Sequence, residues 1–192
     1  MKQTISFETF LTRLKTGNAN FKNDCLTNHL HDSARRKAIL NGQKPFAIIL
    51  TCSDSRVVPE LIFDSGIGEL FVIRVAGNIA NTSSIASIEY AVAHLNVKLI
   101  VVLAHQNCGA VTAALAGFDK GNNINHLFGF IQPAISISDS KKVDEVSHIH
   151  AKLTVDKLIA ESSIISKAIE NDALHIVPAY YNLETGQVDF FE

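Results

Sequence analysis

Phe46-Ala47-Ile48-Ile49-Leu50-Thr51-Cys52-Ser53-Asp54-Ser55-Arg56 decides the fold of this chain, because an apolar run gives way at once to a thiol and a carboxylate. Leu99 to Ala104 repeats the arrangement and delivers His105-Gln106-Asn107-Cys108. Neither run alternates between apolar and polar positions, so both are expected as strands covered on both faces. Two thiols and an imidazole would then meet where the strands end.

Working outward, Leu70 to Val75 and Leu174 to Ala179 are further continuous apolar strand candidates. Between the second and third strands, Ser83 to Leu95 has a helical stripe of Ile85, Ile88, Val92 and Leu95, with Thr82-Ser83-Ser84 as cap candidates. Strand, helix, strand in that order implies a right-handed parallel crossover. Leu174 to Phe191 reads as a hairpin turning at Leu183-Glu184-Thr185-Gly186, which adds an antiparallel edge strand. The expected class is α/β: four parallel strands plus an antiparallel C-terminal edge strand, flanked by helices.

The remaining segments read as helices. Phe7, Phe10, Leu11 and Leu14 form one apolar face, with Gly17-Asn18 as a stop and a second short helix from Ala19. Ser33 to Leu40 carries a solvated basic face and ends at Gly42. Ala110 to Leu115 follows the second cluster, Ile124 to Ile131 is interrupted by Gln132-Pro133, and Lys152 to Asn171 forms a longer helix.

With 192 residues, 47% of them hydrophobic, the chain suits one well-filled domain. A net charge of -2 and no Lys/Arg stripe interleaved with aromatics argue against nucleic acid as a partner. Glu8, Arg13 and Lys15 interrupt the first twenty residues, so no signal peptide is expected. No apolar run approaches the ~18 residues of a membrane span, and a soluble cytoplasmic protein is the expectation. Three cysteines without an export signal point to reduced thiols, and isolated Cys25 reads as an ordinary one.

Cys52, His105 and Cys108 match a catalytic zinc, which keeps a fourth position for water, better than a structural one, which closes all four. Their placement at the carboxyl ends of parallel strands is where open α/β sheets bind ligands. Two thiolates cancel the charge of the ion, so bound water is acidified less than by three neutral histidines, and activity should rise toward alkaline pH. Asp54 has two readings: it accepts a hydrogen bond beside the metal, or it binds the metal and shuts the site. Arg56 arbitrates, because a bidentate guanidinium holds a carboxylate ionised and turned away. Gly66-Ile67-Gly68 reads as a turn, and His29, His31, His148 and His150 as surface histidines.

Cys52-Ser53-Asp54-Ser55-Arg56-Val57 together with His105-x-x-Cys108-Gly109 resembles the β-class carbonic anhydrase family, plant-like type, from about Phe7 to the final hairpin. The resemblance implies a lyase that reversibly hydrates carbon dioxide to bicarbonate and a proton, by attack of zinc-bound hydroxide. One Zn2+ per chain would sit on Cys52, His105 and Cys108, with Asp54 and Arg56 as the catalytic gating dyad. It further implies substrate-binding roles for Gln43, Phe71, Tyr90 and the Gly109 backbone amide, the tyrosine reaching across from a neighbouring subunit. Tyr90 agrees with this, since at 100° per residue it falls off its helix's core stripe.

The implied assembly is a homodimer or dimer of dimers, with no membrane partner. Within one domain spanning 1–192, residues 1–42 would form an N-terminal helical arm packing on the partner and 43–192 the zinc-binding α/β core. Three positions depart from the family pattern. Ala104 replaces a common glycine, which matters only if positive φ is needed there. Ala76 replaces a larger aliphatic. Ile49 stands where members with a non-catalytic bicarbonate site carry tryptophan, so that inhibition is not expected. Two other functions remain open: hydrolysis of carbonyl sulfide or carbon disulfide on the same scaffold, and a non-catalytic zinc-binding or redox-sensing protein with Asp54 held on the metal.

Overall fold

In the computed structural model, which describes residues 6–117 and 121–191, the run that opened the sequence is strand β1 (Ala47–Thr51). It lies between β2 (Leu70–Arg74) and β3 (Leu99–His105) in a five-stranded sheet ordered β2-β1-β3-β4-β5. β4 (His175–Tyr181) is also parallel, and β5 (Val188–Phe190) pairs antiparallel as the hairpin edge. The sequence expectation for the sheet is met in full.

Each apolar run is continuous because alternate side chains feed two different cores. Ile48, Leu50, Ile100 and Val102 pack on one face with Ile85, Ile88 and Ala91 of α4 (Thr82–Leu95), Ala151 and Leu158 of α7 (Val143–Glu161) and Ile165 of α8 (Ser163–Glu170). Ala47, Ile49, Leu99, Val101 and Leu103 face the other way, under Leu14 of α1 (Phe7–Lys22) and Ile62 of α3 (Pro59–Ile62). A third cluster joins Cys52 and Cys108 to α5 (Gly109–Leu115) and α6 (Asn122–Ile137). The metal-ligand candidates therefore sit at the seam between sheet and helices.

Several helix boundaries differ from the sequence expectation. α1 runs unbroken through Gly17-Asn18, with no second helix at Ala19. Gly17 is there for close approach: a Cβ would lie 2.0 Å from the Phe63 carbonyl oxygen. Buried Asn18 donates to the carbonyls of Ile62 (3.3 Å) and Gly186 (2.8 Å) and accepts from Val188 N (2.8 Å). The helix expected to pack on a partner thus covers its own chain's sheet.

The remaining differences are matters of capping and proline. α2 is short (Ser33–Ala38) and is capped by Asp32. Asn81, rather than Thr82-Ser83-Ser84, caps α4, its Oδ1 accepting from Ser84 N at 2.9 Å. α6 continues through Pro133 to Ile137. α7 begins well before Lys152, and Ser162 ends the expected long helix by capping α8 from its hydroxyl. Among the described residues no helix is long and apolar enough to cross a membrane. Residues 1–5 of the stretch read for a leader lie outside the described residues.

Candidate metal centre

Thr51 and Leu103 are register partners in parallel strands, so Cys52 and His105 leave the sheet at the same end. The Thr51 hydroxyl donates to Leu103 O at 2.9 Å and ties the two strand ends together. Cys108, which directly follows the two-residue loop Gln106-Asn107 after His105, is the N-cap of α5. The candidate ligand atoms of Cys52, His105 and Cys108 lie within 4.8 Å of one another, and all three residues are buried.

The imidazole tests whether a metal fits. His105 Nδ1 lies 2.9 Å from the Gln106 carbonyl, which can only accept, so Nδ1 carries the proton. That leaves a lone pair on Nε2, which is buried without a hydrogen-bond partner. Such an orphan costs about 1–3 kcal/mol unless something binds it. A cation held by two sulfurs and this nitrogen removes the cost, and the donor set suits zinc.

The sulfurs compete for one proton when no cation is present. The Cys108 thiol donates toward Cys52 and lowers it well below the ordinary thiol range, against burial and with help from the Gly77 N–H. Negative Cys52, together with burial, pushes Cys108 up, and the Ala110 and Val111 amides oppose that rise. The Gly77 N–H lies 3.3 Å from Cys52 Sγ. Gly77 has φ +70°, and a Cβ would meet Ile131 Cδ1 at 3.1 Å and Ala110 Cβ at 3.3 Å, so glycine is required there.

Asp54 is held by Arg56 through both oxygens, Nε to Oδ1 at 2.9 Å and Nη2 to Oδ2 at 2.8 Å. The Arg56 backbone N–H adds a third donor at 3.0 Å. This guanidinium holds the carboxyl well below the ordinary carboxylate range. Oδ2 still stands 4.0 Å from His105 Nε2, so the acid borders the cluster. Arg74 fixes the turn from behind, donating to the carbonyls of Asp54 (2.7 Å) and Cys52 (3.3 Å).

Other supporting residues escaped the sequence reading. Gln106 Oε1 accepts from Leu183 N (3.1 Å) and Glu184 N (3.3 Å), while Gln106 N–H donates to Tyr181 O (2.9 Å). Asp144 Oδ1, in the first turn of α7, accepts from Asn107 N at 3.0 Å. The ligand loop is therefore pinned by the C-terminal hairpin and by α7. An acidic residue opening a helix is the usual signal for such a role, but the start of α7 was not recognised. His148 and His150 are not surface residues: the first stacks on Tyr180 at 3.8 Å, and the second is 3% exposed and bonds Gly77 O.

The pocket residues are spread out within one chain. Gly109 is exposed at the first position of α5, with open space where a side chain would project. Gln43 is exposed beyond the opposite end of β1, and crossing β1 from Ala47 to Cys52 takes about 16 Å at ~3.3 Å per residue. Phe71 is in register with Ile48, four residues and about 13 Å short of Cys52. Tyr90 is 49% exposed, with its ring 6.3 Å from that of Phe71 and 5.2 Å from that of His94. Among the departures, Ala104 lies in β3 without positive φ, so glycine is not required, and Ile49 is fully buried under α1. Ala76 opens a short 3-10 turn, Ala76–Asn78, behind Cys52.

Comparison with known proteins agrees with this geometry. The sequence profile of a family described as carbonic anhydrase matches residues 47–188. Carbonic anhydrase 2 of Mycobacterium tuberculosis is 40% identical over 181 residues, covering 91% of this chain and 87% of the relative. The carbonic anhydrase of Mycolicibacterium smegmatis is 37% identical over 186 residues, covering 92% and 89%. Among solved structures, a tetrameric β-carbonic anhydrase from Sordaria macrospora superposes with TM-score 0.74 at 26% identity, covering 96% of this chain and 97% of that one. The Coccomyxa β-carbonic anhydrase in complex with acetazolamide gives TM-score 0.75 at 25% identity, covering 98% and 87%.

Proposed function

Because the chain belongs to the β class of the carbonic anhydrase family, we propose that it reversibly hydrates carbon dioxide to bicarbonate and a proton at Cys52, His105 and Cys108, with one zinc ion per chain. The observation that carries this reading is the orphaned, buried His105 Nε2 facing two sulfurs within 4.8 Å, beside a carboxylate held by arginine. Bound there, zinc supplies the Lewis acidity that makes water a nucleophile near neutral pH.

The residues supply the rest. Asp54, ionised by its pairing with Arg56, accepts a hydrogen bond from the attacking water and orients it toward carbon dioxide. The Gly109 amide donates to the oxygen on which charge develops. Gln43, Phe71 and Tyr90 stand too far from their own cluster to touch substrate there, so they complete the pocket of a second copy, where two aromatic rings suit an apolar substrate. The same reading makes the protein a homodimer or dimer of dimers, with 1–192 as one domain.

Stopped-flow hydration assays on zinc-loaded protein from pH 7 to 9 test the proposal. Activity should rise with pH, because two thiolates leave the ion a weaker acid-strengthener than three imidazoles would. No hydration across that range would reject it. Sulfide release from carbonyl sulfide in place of carbon dioxide hydration would assign the centre to the sulfur-containing substrate.

A further inference from the structure

His150 is a costly residue for its position unless it does something an apolar side chain cannot. It is 3% exposed on α7, beside a cavity of about 210 Å3 whose other walls include Ala80, Phe130, Pro133 and Leu153. Burial lowers its basicity, so the ring is neutral and has one N–H to give. That N–H is on Nε2, 2.8 Å from the Gly77 carbonyl. Nδ1 is left bare, buried and unpartnered, at a cost of about 1–3 kcal/mol that phenylalanine or leucine would avoid.

Gly77 is the reason to keep it. Its carbonyl accepts from His150, and its N–H donates to Cys52 Sγ. The Asn78 N–H closes the turn around Gly77 by donating to Val75 O at 2.9 Å, and at φ +70° His150 adds the side-chain donor on the Gly77 carbonyl itself. We infer that His150 is a positioning residue for the metal centre: by holding the Gly77 carbonyl it aims the Gly77 N–H at Cys52 and tunes how strongly that sulfur binds metal. Outer groups that orient the hydrogen bonds of metal ligands typically change metal affinity by about 10–100-fold when removed.

This rests on the metal reading of the centre, and the test separates the two. Wild type, His150→Gln, His150→Phe and the packing control Leu153→Ala are loaded with cobalt(II) for spectroscopy, and their zinc affinities are measured by chelator competition. The Phe variant should shift the sulfur-to-cobalt charge-transfer band and bind zinc about 10-fold or more weakly. The Gln variant, whose amide N–H can reach Gly77 O, should keep wild-type affinity within about twofold. Leu153→Ala should lose thermal stability with its cobalt spectrum unchanged.

A wild-type spectrum and affinity in the Phe variant, or a Gln variant no better than Phe, overturns the inference while leaving the metal site intact. Wild type that binds no metal would instead remove the reading beneath it. Should the Phe variant fail to fold, nitrogen NMR of the wild-type holoprotein decides. An Nε2-protonated His150 is expected, and an Nδ1-protonated ring contradicts the assignment.

Discussion

The two ends of the sheet are built in opposite ways. At the carboxyl end, Cys52, His105 and Cys108 are buried and braced by Gly77, Gln106, Asp144 and Arg74 from their own chain. Toward the other end, Gln43 and Tyr90 are exposed, and among the described residues the Tyr90 ring meets those of Phe71 and His94. A metal centre needs sub-ångström preorganisation, which one chain supplies from strand ends and a helix cap. An apolar pocket for a small substrate needs walls, and under the proposed function a second copy would supply those.

Changes at the braced end should have the largest effects. Cys108→Ser should reduce metal content, measured by plasma mass spectrometry, from one ion per chain to near zero and lower hydration by at least about 10³-fold. Chelating zinc from wild type should take up protons, since the shared thiol proton returns, and a pH-indicator titration reads this directly. Arg56→Ala, which frees Asp54 without touching a ligand atom, should lower hydration by about 10–100-fold in stopped-flow assays.

At the open end, Tyr90→Ala should weaken substrate capture with little structural cost. KM for carbon dioxide should rise several-fold, while zinc content holds and stability stays within about 0.5 kcal/mol, as for exposed side chains generally. A variant that loses zinc instead would show that the two ends are not separate devices.

Asp64 provides the smallest effect on hydration and the cleanest control. Burial would raise its carboxyl, but the Thr27 and Asn28 amides and the Asn20 and Thr27 side chains outweigh that and bring it down to about 2. With the folded value below the ordinary carboxylate range of about 3.9, its stabilisation is complete above about pH 5 and lost as pH falls toward 2. Asp64→Asn should therefore lower stability by about 2 kcal/mol at pH 7 in urea unfolding. The gap to wild type should close by pH 2, and hydration activity should be unchanged.

How much was legible in the sequence follows the same division. Continuous apolar runs placed the strands and brought Cys52, His105 and Cys108 together, because period and strand-end position are local properties. What was missed depends on distant partners. Gly17 reads as a helix stop until Phe63 is seen against it, and Asn18 until its three backbone partners are known. Pro133 reads as a break, yet α6 runs through it. His150 looks superficial until α7 is extended back to Val143 and lies across Gly77. Leu14 reads as part of an amphipathic arm until it is seen filling the core of its own chain.

Complementation between two inactive chains tests the central claim most directly. A Gln43→Ala chain keeps its ligands but offers its partner no glutamine, and a Cys52→Ser chain does the reverse. Co-expressed with separate tags and purified as the heterodimer, the pair should contain one complete site and recover about half of wild-type hydration activity per dimer. Activity no higher than the mean of the two parent variants would contradict a pocket shared between copies.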